Sequence, residues 1–170
     1  SWDDLRSRLA PDDRRCFAFF HPSMEDEPLI FVEVALTGEI PGRITSVLET
    51  ERKMLDPNEA SCAIFYSISN CQKGLAGISF GNFLIKQVAQ ALQGEYPNLK
   101  NFLTLSPLPF FSTWLEKTEP DSFANFAVID WSGTTEENEK KLLEAVGRYF
   151  LNSTRKDKQP NDPVARFHLG

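Results

Sequence analysis

Three glycines stand just before a segment with helical character. Gly74, Gly77 and Gly81 follow the spacing G-x-x-G-x-x-x-G. Glycine loses more conformational freedom on folding than any other residue, so the cluster indicates a backbone that bends sharply or approaches another group closely. A helix N-terminus exposes unpaired N–H groups and carries about half a positive charge, which attracts anions. The spacing therefore favours a backbone site for a phosphate group, and a tight strand-to-helix turn that binds nothing is the alternative.

The glycine pattern differs from the common nucleotide motifs. Gly81 is followed by Asn82, and not by the Lys and Ser/Thr of a P-loop. The spacing is also not the G-x-G-x-x-G of dinucleotide-binding proteins. The pattern thus assigns no nucleotide, and a phosphate site and a turn that binds nothing both remain open.

Composition restricts the classes of function. The chain has 170 residues, of which 41% are hydrophobic, and this suits one domain with a core of its own. The net charge is -6, and no Lys/Arg-rich block is present, which argues against a dedicated nucleic-acid-binding protein. Apolar runs such as residues 29–32 are too short to span a bilayer, and residues 1–9 lack the apolar core of a signal peptide. We therefore expect neither nucleic acid nor membrane as a partner.

The three cysteines, Cys16, Cys62 and Cys71, are an odd number without C-x-x-C spacing. This indicates reduced thiols in a cytosol or an organelle matrix, and neither a disulfide framework nor a zinc site. Cys16 and Cys62 are expected to be buried, whereas Cys71 in the glycine segment is expected to be accessible but inert. His21 precedes a proline at a turn, where a structural role is expected.

Hydrophobic patterning predicts an alternation of strands and helices. The predicted strands lie at residues 14–20, 29–36, 61–69, 101–106 and 164–169. The predicted helices lie at residues 1–9, 42–55, 80–92 and 138–151. A turn over residues 21–28 separates the first two strands, and a polar surface linker over residues 152–163 precedes the last one.

The helix after the glycines has the clearest periodicity in the chain. Its predicted apolar stripe consists of Phe80, Phe83, Leu84, Val88, Ala91 and Leu92. A strand, a helix and a second strand follow one another within about forty residues, which is typical of a βαβ unit with parallel strands.

Longer stretches of sequence carry a resemblance to known families. Gln72 leads into Gly74 and Gly77 in a way that is similar to the Q/R-x-x-G-x-G/A loop of GNAT-superfamily acyltransferases, which cradles the pyrophosphate of coenzyme A. The blocks "HPSMEDEPLIFVEVALTGEI", "AIFYSIS", "GLAGISFGNFLIK", "EYPNLKNFLTLSPLPFFSTWL" and "DPVARFHL" together resemble the malonyl-CoA decarboxylase family. The resemblance implies an α/β catalytic domain with a GNAT-like mixed central sheet flanked by helices.

The resemblance also implies a reaction and its residues. Family members convert malonyl-CoA to acetyl-CoA and CO2 without a metal or an organic cofactor, in bacterial cytoplasm, mitochondria or peroxisomes. Their catalytic serine and histidine correspond to Ser106 in "LSPLP" and His168 in "FHL". Their CoA-binding segment corresponds to Ala76, Gly77, Ile78, Ser79, Phe80, Gly81 and Asn82.

Compared with the family, this sequence is expected to be a partial catalytic domain over residues 1–170. The helical domain that mediates subunit association in relatives is expected to be absent, and the C-terminal edge of the sheet incomplete. Two alternatives remain open at this point. One is a GNAT-type transferase that uses an acyl-CoA, and the other is a CoA-binding or interaction protein without catalytic activity.

Overall fold

The computed structural model of the chain describes residues 9–49, 52–72, 74, 81–155 and 159–169. The chain divides into two units, Ser1–Ser106 and Pro107–Gly170. The helix predicted for residues 1–9 lies outside the described residues, apart from its last position.

The first unit is built on a four-stranded mixed sheet with the strand order β1-β2-β3-β4. The strands are β1 (Arg14–His21), β2 (Met24–Thr37), β3 (Cys62–Asn70) and β4 (Asn101–Thr104). β2 pairs antiparallel with both β1 and β3, whereas β4 pairs parallel with β3. The first four predicted strands are therefore confirmed, and so is the mixed α/β class.

The helices of this unit connect its strands. They are α1 (Ile44–Leu48), a short 3-10 helix (Pro57–Glu59) and α2 (Gly81–Glu95). α2 connects β3 to the parallel strand β4, which confirms the predicted βαβ unit. Parallel neighbours need such a crossover, since a tight hairpin can only reverse the chain.

α2 packs on one face of the sheet through a stripe at helical spacing. Leu84, Val88 and Leu92 are buried there against Val32 and Phe65. Phe83 and Ala91 belong to the predicted stripe but are exposed. Each stands one position before a buried leucine, and one residue rotates the side chain by about 100° around the helix. The predicted period was right, and the predicted phase was wrong at these two positions.

The C-terminal end of α2 is held to the edge strand β1. Arg15 donates a hydrogen bond to the Tyr96 hydroxyl, and its guanidinium carbon lies 5.4 Å from the centre of the Tyr96 ring. The same guanidinium lies 3.7 Å from the Glu95 carboxylate. These contacts fix the C-terminal end of α2, opposite the end that begins at Gly81.

The opposite face of the sheet carries α1. Val47 packs there with Ala35, Cys62 and Ile64. The prediction of a buried Cys62 is confirmed, but the same prediction for Cys16 is wrong, because Cys16 is exposed on β1 at the sheet edge. Cys71 is exposed as predicted.

The turn between β1 and β2 is much shorter than predicted. Pro22 and Ser23 form it, and the His21 Nδ1 accepts a hydrogen bond of 3.0 Å from the Ser23 N–H, as a structural role requires. The rest of the predicted turn belongs to β2. Pro28 pairs with Phe20 where the register shifts, and a proline, which has no N–H to donate, is tolerated at such an irregularity.

α1 is also shorter than the helix predicted over residues 42–55. Arg43 precedes it without a side-chain cap, and Glu49 ends it in an extended conformation. Beyond Glu49, Arg52 donates to the buried carboxylate of Asp13 instead of continuing the helix. A contact between residues far apart in sequence thus overrides the local preference for helix.

The second unit is helical. Its helices are α3 (Phe111–Thr118), α4 (Pro120–Ala127), a 3-10 helix (Trp131–Gly133), α5 (Glu136–Asn152) and α6 (Pro163–Leu169). α5 confirms the helix predicted over residues 138–151, and Thr135 caps it by accepting a hydrogen bond from the Asn138 N–H. Arg148 on α5 forms a two-point ion pair with Glu119, at 2.8 Å for each contact.

Asp13, just before β1, is hydrogen-bonded to the segment that follows α1. Arg52 donates to both of its carboxylate oxygens, and the Leu55 N–H donates a longer bond of 3.3 Å. Burial raises the pKa of Asp13, but the hydrogen bonds from Arg52 and Leu55 and the charge of Arg14 outweigh burial. The pKa therefore lies below the ordinary value of 3.8.

We expect Asp13 to make folding sensitive to acid. Since its folded-state pKa is depressed, its stabilising contribution is fully present above the unfolded-state pKa and is lost as the pH falls through the folded-state pKa. Asp13→Asn should lower the free energy of unfolding at neutral pH by about 1–3 kcal/mol and flatten its decline between about pH 5 and pH 2. Urea titrations over this range measure both effects, with the exposed neighbour Asp12→Asn as the control. An unchanged acid dependence would contradict this role.

Candidate active site

The C-terminal ends of β3 and β4 and the N-terminal end of α2 lie at the same end of the βαβ unit. β3 and β4 run in the same direction, so their C-terminal ends lie at the same edge of the sheet. α2 begins at this edge, because it follows β3 in a crossover connection. Ligands of open α/β sheets collect in this place, where strand ends and helix N-termini meet.

The N-terminal end of α2 has the electrostatics of an anion site. The helix has 15 residues from Gly81, and its first turn contains no acidic residue. Gly81 is buried and Asn82 is partly buried. The predicted positions Ala76, Gly77, Ile78, Ser79 and Phe80 lie outside the described residues, so only the helical end of the predicted segment is described.

β3 changes its pairing at the same edge. Ser67 pairs with Glu33 whereas Phe65 pairs with Val34, so Tyr66 is the extra residue of a β-bulge. The ladder between β3 and β4 ends at the pair Phe65–Thr104, followed by a hydrogen bond of 2.8 Å from the Leu105 N–H to the Phe65 carbonyl. Among the described residues, β3 beyond this point pairs only with β2. Bulges of this kind often lie beside active sites, because they redirect side chains and end regular pairing.

Ser106 follows the end of β4 directly. It stands two residues beyond Thr104, is exposed, and is the last residue of the first unit. Pro107 comes next, and a residue before proline is restricted to extended conformations. The sequence predicted Ser106 as the last residue of a strand over residues 101–106, and the strand ends two residues earlier, at Thr104.

His168 lies on a helix, whereas the sequence predicted a strand over residues 164–169. α6 spans Pro163–Leu169, and His168 is exposed in its last turn. The imidazole contacts the ring of Phe167 edge-on, with 5.0 Å between ring centres. The histidine belongs to the second unit.

Asp162 explains why this segment is helical. One carboxylate oxygen accepts hydrogen bonds of 2.8 Å and 3.1 Å from the N–H groups of Val164 and Ala165. Asp before Pro at the first helical position is a strong start signal, because the side chain satisfies free N–H groups and proline lacks the one that would be lost. This pair of residues was the signal that the sequence interpretation missed.

The predicted surface linker over residues 152–163 is also wrong in its second half. Asp162 is 1% exposed, and its other oxygen accepts a hydrogen bond of 2.8 Å from the Tyr149 hydroxyl. Tyr149 is itself buried and contacts the rings of Phe111 and Trp114. Burial and the hydrogen bond to Asp162 raise the pKa of Tyr149, so that its hydroxyl stays a proton donor.

The described part of the chain offers no cluster of three or more His, Cys, Asp or Glu side chains that could hold a metal ion. In the same residues, no helix has both the length and the apolar character needed to cross a membrane.

These features define an α/β protein with a candidate ligand site at the C-terminal edge of a βαβ unit. Comparison with known families assigns it further. The family model described as malonyl-CoA decarboxylase C-terminal domain matches residues 1–170. The chain therefore belongs to the malonyl-CoA decarboxylase family.

Curated relatives agree with this assignment. The chain is 45% identical over 121 residues to the mitochondrial malonyl-CoA decarboxylase of Rattus norvegicus, which covers 68% of this chain and 24% of that protein. The mitochondrial malonyl-CoA decarboxylase of Anser anser anser is also 45% identical over 121 residues. The chain thus spans about a quarter of the length of the curated relatives that it matches.

Solved structures agree on the fold. The malonyl-CoA decarboxylase of Rhodopseudomonas palustris is similar with a TM-score of 0.84 and 46% identity, over 99% of this chain and 45% of that chain. The enzyme of the same name from Agrobacterium vitis has a TM-score of 0.81 and 48% identity, with the same coverage. The mixed sheet and its helices are therefore the architecture of the corresponding part of these proteins.

Sequence reasoning did not single out Glu33, whose carboxylate is buried in the middle of the sheet. The residue is 3% exposed, and its Oε2 has no hydrogen-bond partner among the described residues. Its neighbours across the sheet are Cys16 and Ser67. A buried charged oxygen without a partner destabilises the folded state, because it gives up its hydration without replacement.

We expect Glu33→Gln to stabilise the first unit. The amide keeps the shape of the side chain but removes the charge, and the free energy of unfolding should rise by about 1 kcal/mol. Thermal and urea unfolding measure this change. Glu25→Gln, at an exposed position of the same strand, is the matched control and should leave stability unchanged. A loss of stability in Glu33→Gln would show that the carboxylate has a stabilising partner.

Proposed function

We propose that this chain carries the decarboxylation of malonyl-CoA to acetyl-CoA and CO2, with Ser106 and His168 as its catalytic residues. The observation that carries the proposal is the family match along all 170 residues. The position of Ser106 directly after β4, at the edge of the sheet where the ladder between β3 and β4 ends, supports it.

The chemistry of the substrate sets the tasks of the protein. The thioester carbonyl lies β to the carboxylate, so the electrons released with CO2 are delocalised into this carbonyl as an enolate. The substrate thereby supplies its own electron sink, and the proposed reaction requires no metal or organic cofactor. The protein must hold the carboxylate in a site with little water, stabilise the enolate oxygen and deliver a proton to carbon.

Ser106 is proposed to donate a hydrogen bond to the thioester or the carboxylate of the substrate. The two residues next to Ser106 restrain its backbone. The Leu105 N–H donates a hydrogen bond to the Phe65 carbonyl, and Pro107 restricts Ser106 to extended conformations. A donor that is held in advance stabilises developing charge better than one that must be ordered during the reaction.

His168 is proposed to protonate the enolate carbon. An imidazole changes its charge near neutral pH, which suits a group that gives up a proton and regains it in each cycle.

The segment that ends in Gly81 and Asn82 is proposed to bind the pyrophosphate of CoA, with Ala76, Gly77, Ile78, Ser79 and Phe80 as its other members. Backbone N–H groups at the start of α2 would carry most of the binding, as at other helix N-termini that hold phosphate groups. The absence of acidic residues from the first turn of α2 supports this.

We expect Ser106→Ala and His168→Ala to lower kcat for malonyl-CoA by about 100-fold or more, while acetyl-CoA binding stays within about twofold. The rate of acetyl-CoA formation and calorimetric titration with acetyl-CoA measure the two effects. Ser112→Ala and His21→Ala are matched controls on exposed residues and should keep the parental rate. A variant at Ser106 or His168 with an unaltered rate would remove that residue from the mechanism.

We expect Gly77→Leu to weaken acetyl-CoA binding by about tenfold or more, because a side chain would keep the backbone away from the phosphate groups. Gly94→Leu is the matched control. It lies in the last turn of α2, where a Cβ would meet nothing within 4 Å. Titration of both variants with acetyl-CoA gives the comparison. Equal affinity of Gly77→Leu and the parent would contradict the proposed CoA site, and CoA binding without turnover would favour a non-catalytic CoA-binding protein.

A further inference from the structure

We propose that Asp162 is a positioning residue that fixes the helix of His168, an inference that rests on the proposed role of this histidine. The carboxylate is buried and accepts four hydrogen bonds, two on each oxygen. Its partners lie on three separate segments of the second unit. The residue touches neither the substrate nor the proton in this proposal, and it acts through the placement of α6.

The first pair of bonds starts the helix. Oδ1 accepts from the N–H groups of Val164 and Ala165, and the Asp162 carbonyl accepts the first intrahelical bond from the Arg166 N–H at 3.0 Å. α6 has only seven residues. A helix of this length is unstable on its own in water, so its formation depends on such an anchor.

The second pair of bonds ties this start to the rest of the unit. Oδ2 accepts from the Tyr149 hydroxyl at 2.8 Å and from the Phe110 N–H at 3.5 Å. Tyr149 is 1% exposed within an aromatic cluster, so it is a rigid donor. Phe110 is the fourth residue after Ser106 in the chain. The same carboxylate is therefore hydrogen-bonded both to the segment that follows the proposed serine and to the helix that carries the proposed histidine.

An ordinary helix cap does not need this arrangement. Thr135 caps the longer helix α5 with a single bond of 3.3 Å from the Asn138 N–H. Asp130, at an exposed position, caps a 3-10 helix by accepting hydrogen bonds from the N–H and the hydroxyl of Ser132. Asp162 is the buried one of these three caps, and its second oxygen joins segments that are distant in sequence.

The distance from the anchor to His168 is short. Six residues of helix correspond to a rise of about 9 Å, so a shift at the start of α6 is passed on to the imidazole with little loss. A misplacement of about 1 Å in a reacting group can lower a rate by about 100-fold. Removal of the anchor should therefore affect the chemical step far more than the binding of CoA.

The test compares variants of two helix caps of the second unit, Asp162 and Thr135, in the full chain. Asp162→Ala removes all four bonds, Asp162→Asn keeps an acceptor for the helix start, and Tyr149→Phe removes one bond while the ring remains. Thr135→Ala is the matched control, since it uncaps a helix without a proposed catalytic residue. Steady-state kinetics with malonyl-CoA and hydrogen exchange of the peptide over residues 163–169 are the readouts.

We expect Asp162→Ala to lower kcat by about tenfold or more with KM within about twofold, and Asp162→Asn to recover part of the loss. Tyr149→Phe should lower kcat to a smaller extent, and Thr135→Ala should not lower it. If Asp162→Ala does not fold, Asp162→Asn and Tyr149→Phe decide the matter. The proposal is overturned if a folded Asp162→Ala variant keeps the parental kcat. It is also overturned if Asp162→Asn and Tyr149→Phe both keep the parental kcat, or if Thr135→Ala loses as much kcat as the Asp162 variants.

Failure of the proposed function would be recognised separately. If the parent chain turns over no malonyl-CoA, the proposed reaction fails, and hydrogen exchange alone judges the anchor. Faster exchange of residues 163–169 in Asp162→Asn or Asp162→Ala, with unchanged exchange in α5, supports the positioning role. Unchanged exchange over residues 163–169 overturns it.

Discussion

The parallel pairing of β3 with β4 is the constraint on which the candidate site depends. Two parallel neighbours must be joined by a crossover, and the crossover is stable only if its helix buries an apolar face on the sheet. Leu84, Val88 and Leu92 provide this face. Once they are packed, the start of α2 and the ends of both strands lie at one edge, whatever residues form the glycine segment between them.

At this edge a β-bulge at Tyr66 interrupts the regular pairing of β3 with β2, next to the end of the ladder between β3 and β4. The second unit has a comparable device of a different kind, since Asp162 places a buried carboxylate among aromatic rings to hold a short helix. The bulge interrupts a regular ladder, and the carboxylate interrupts the apolar packing of the aromatic rings. Such departures from regular structure are expected where a protein positions functional groups.

Sequence alone predicted most of this fold where the information is local. Alternating apolar runs identified the four strands, and helical periodicity identified α2 and α5. The failures have two causes. Arg52 lies in the predicted helix but donates a hydrogen bond to Asp13, and the Tyr149 hydroxyl donates one to Asp162. Neither contact can be inferred from a local sequence pattern. The Asp-Pro pair that starts α6 is local, but the apolar residues after it fit a strand as well as a helix.

The same distinction applies to the candidate site. Glycine spacing indicates that a backbone can approach an anion, but it does not name the anion, because N–H groups are common to all residues. Ser106 gained its importance only from the resemblance to a family, since a serine after a strand is common. If the substrate provides the electron sink, the protein contributes mainly hydrogen-bond donors and their placement. Function of this kind depends on distances set by residues such as Asp162, and a sequence pattern does not contain these distances.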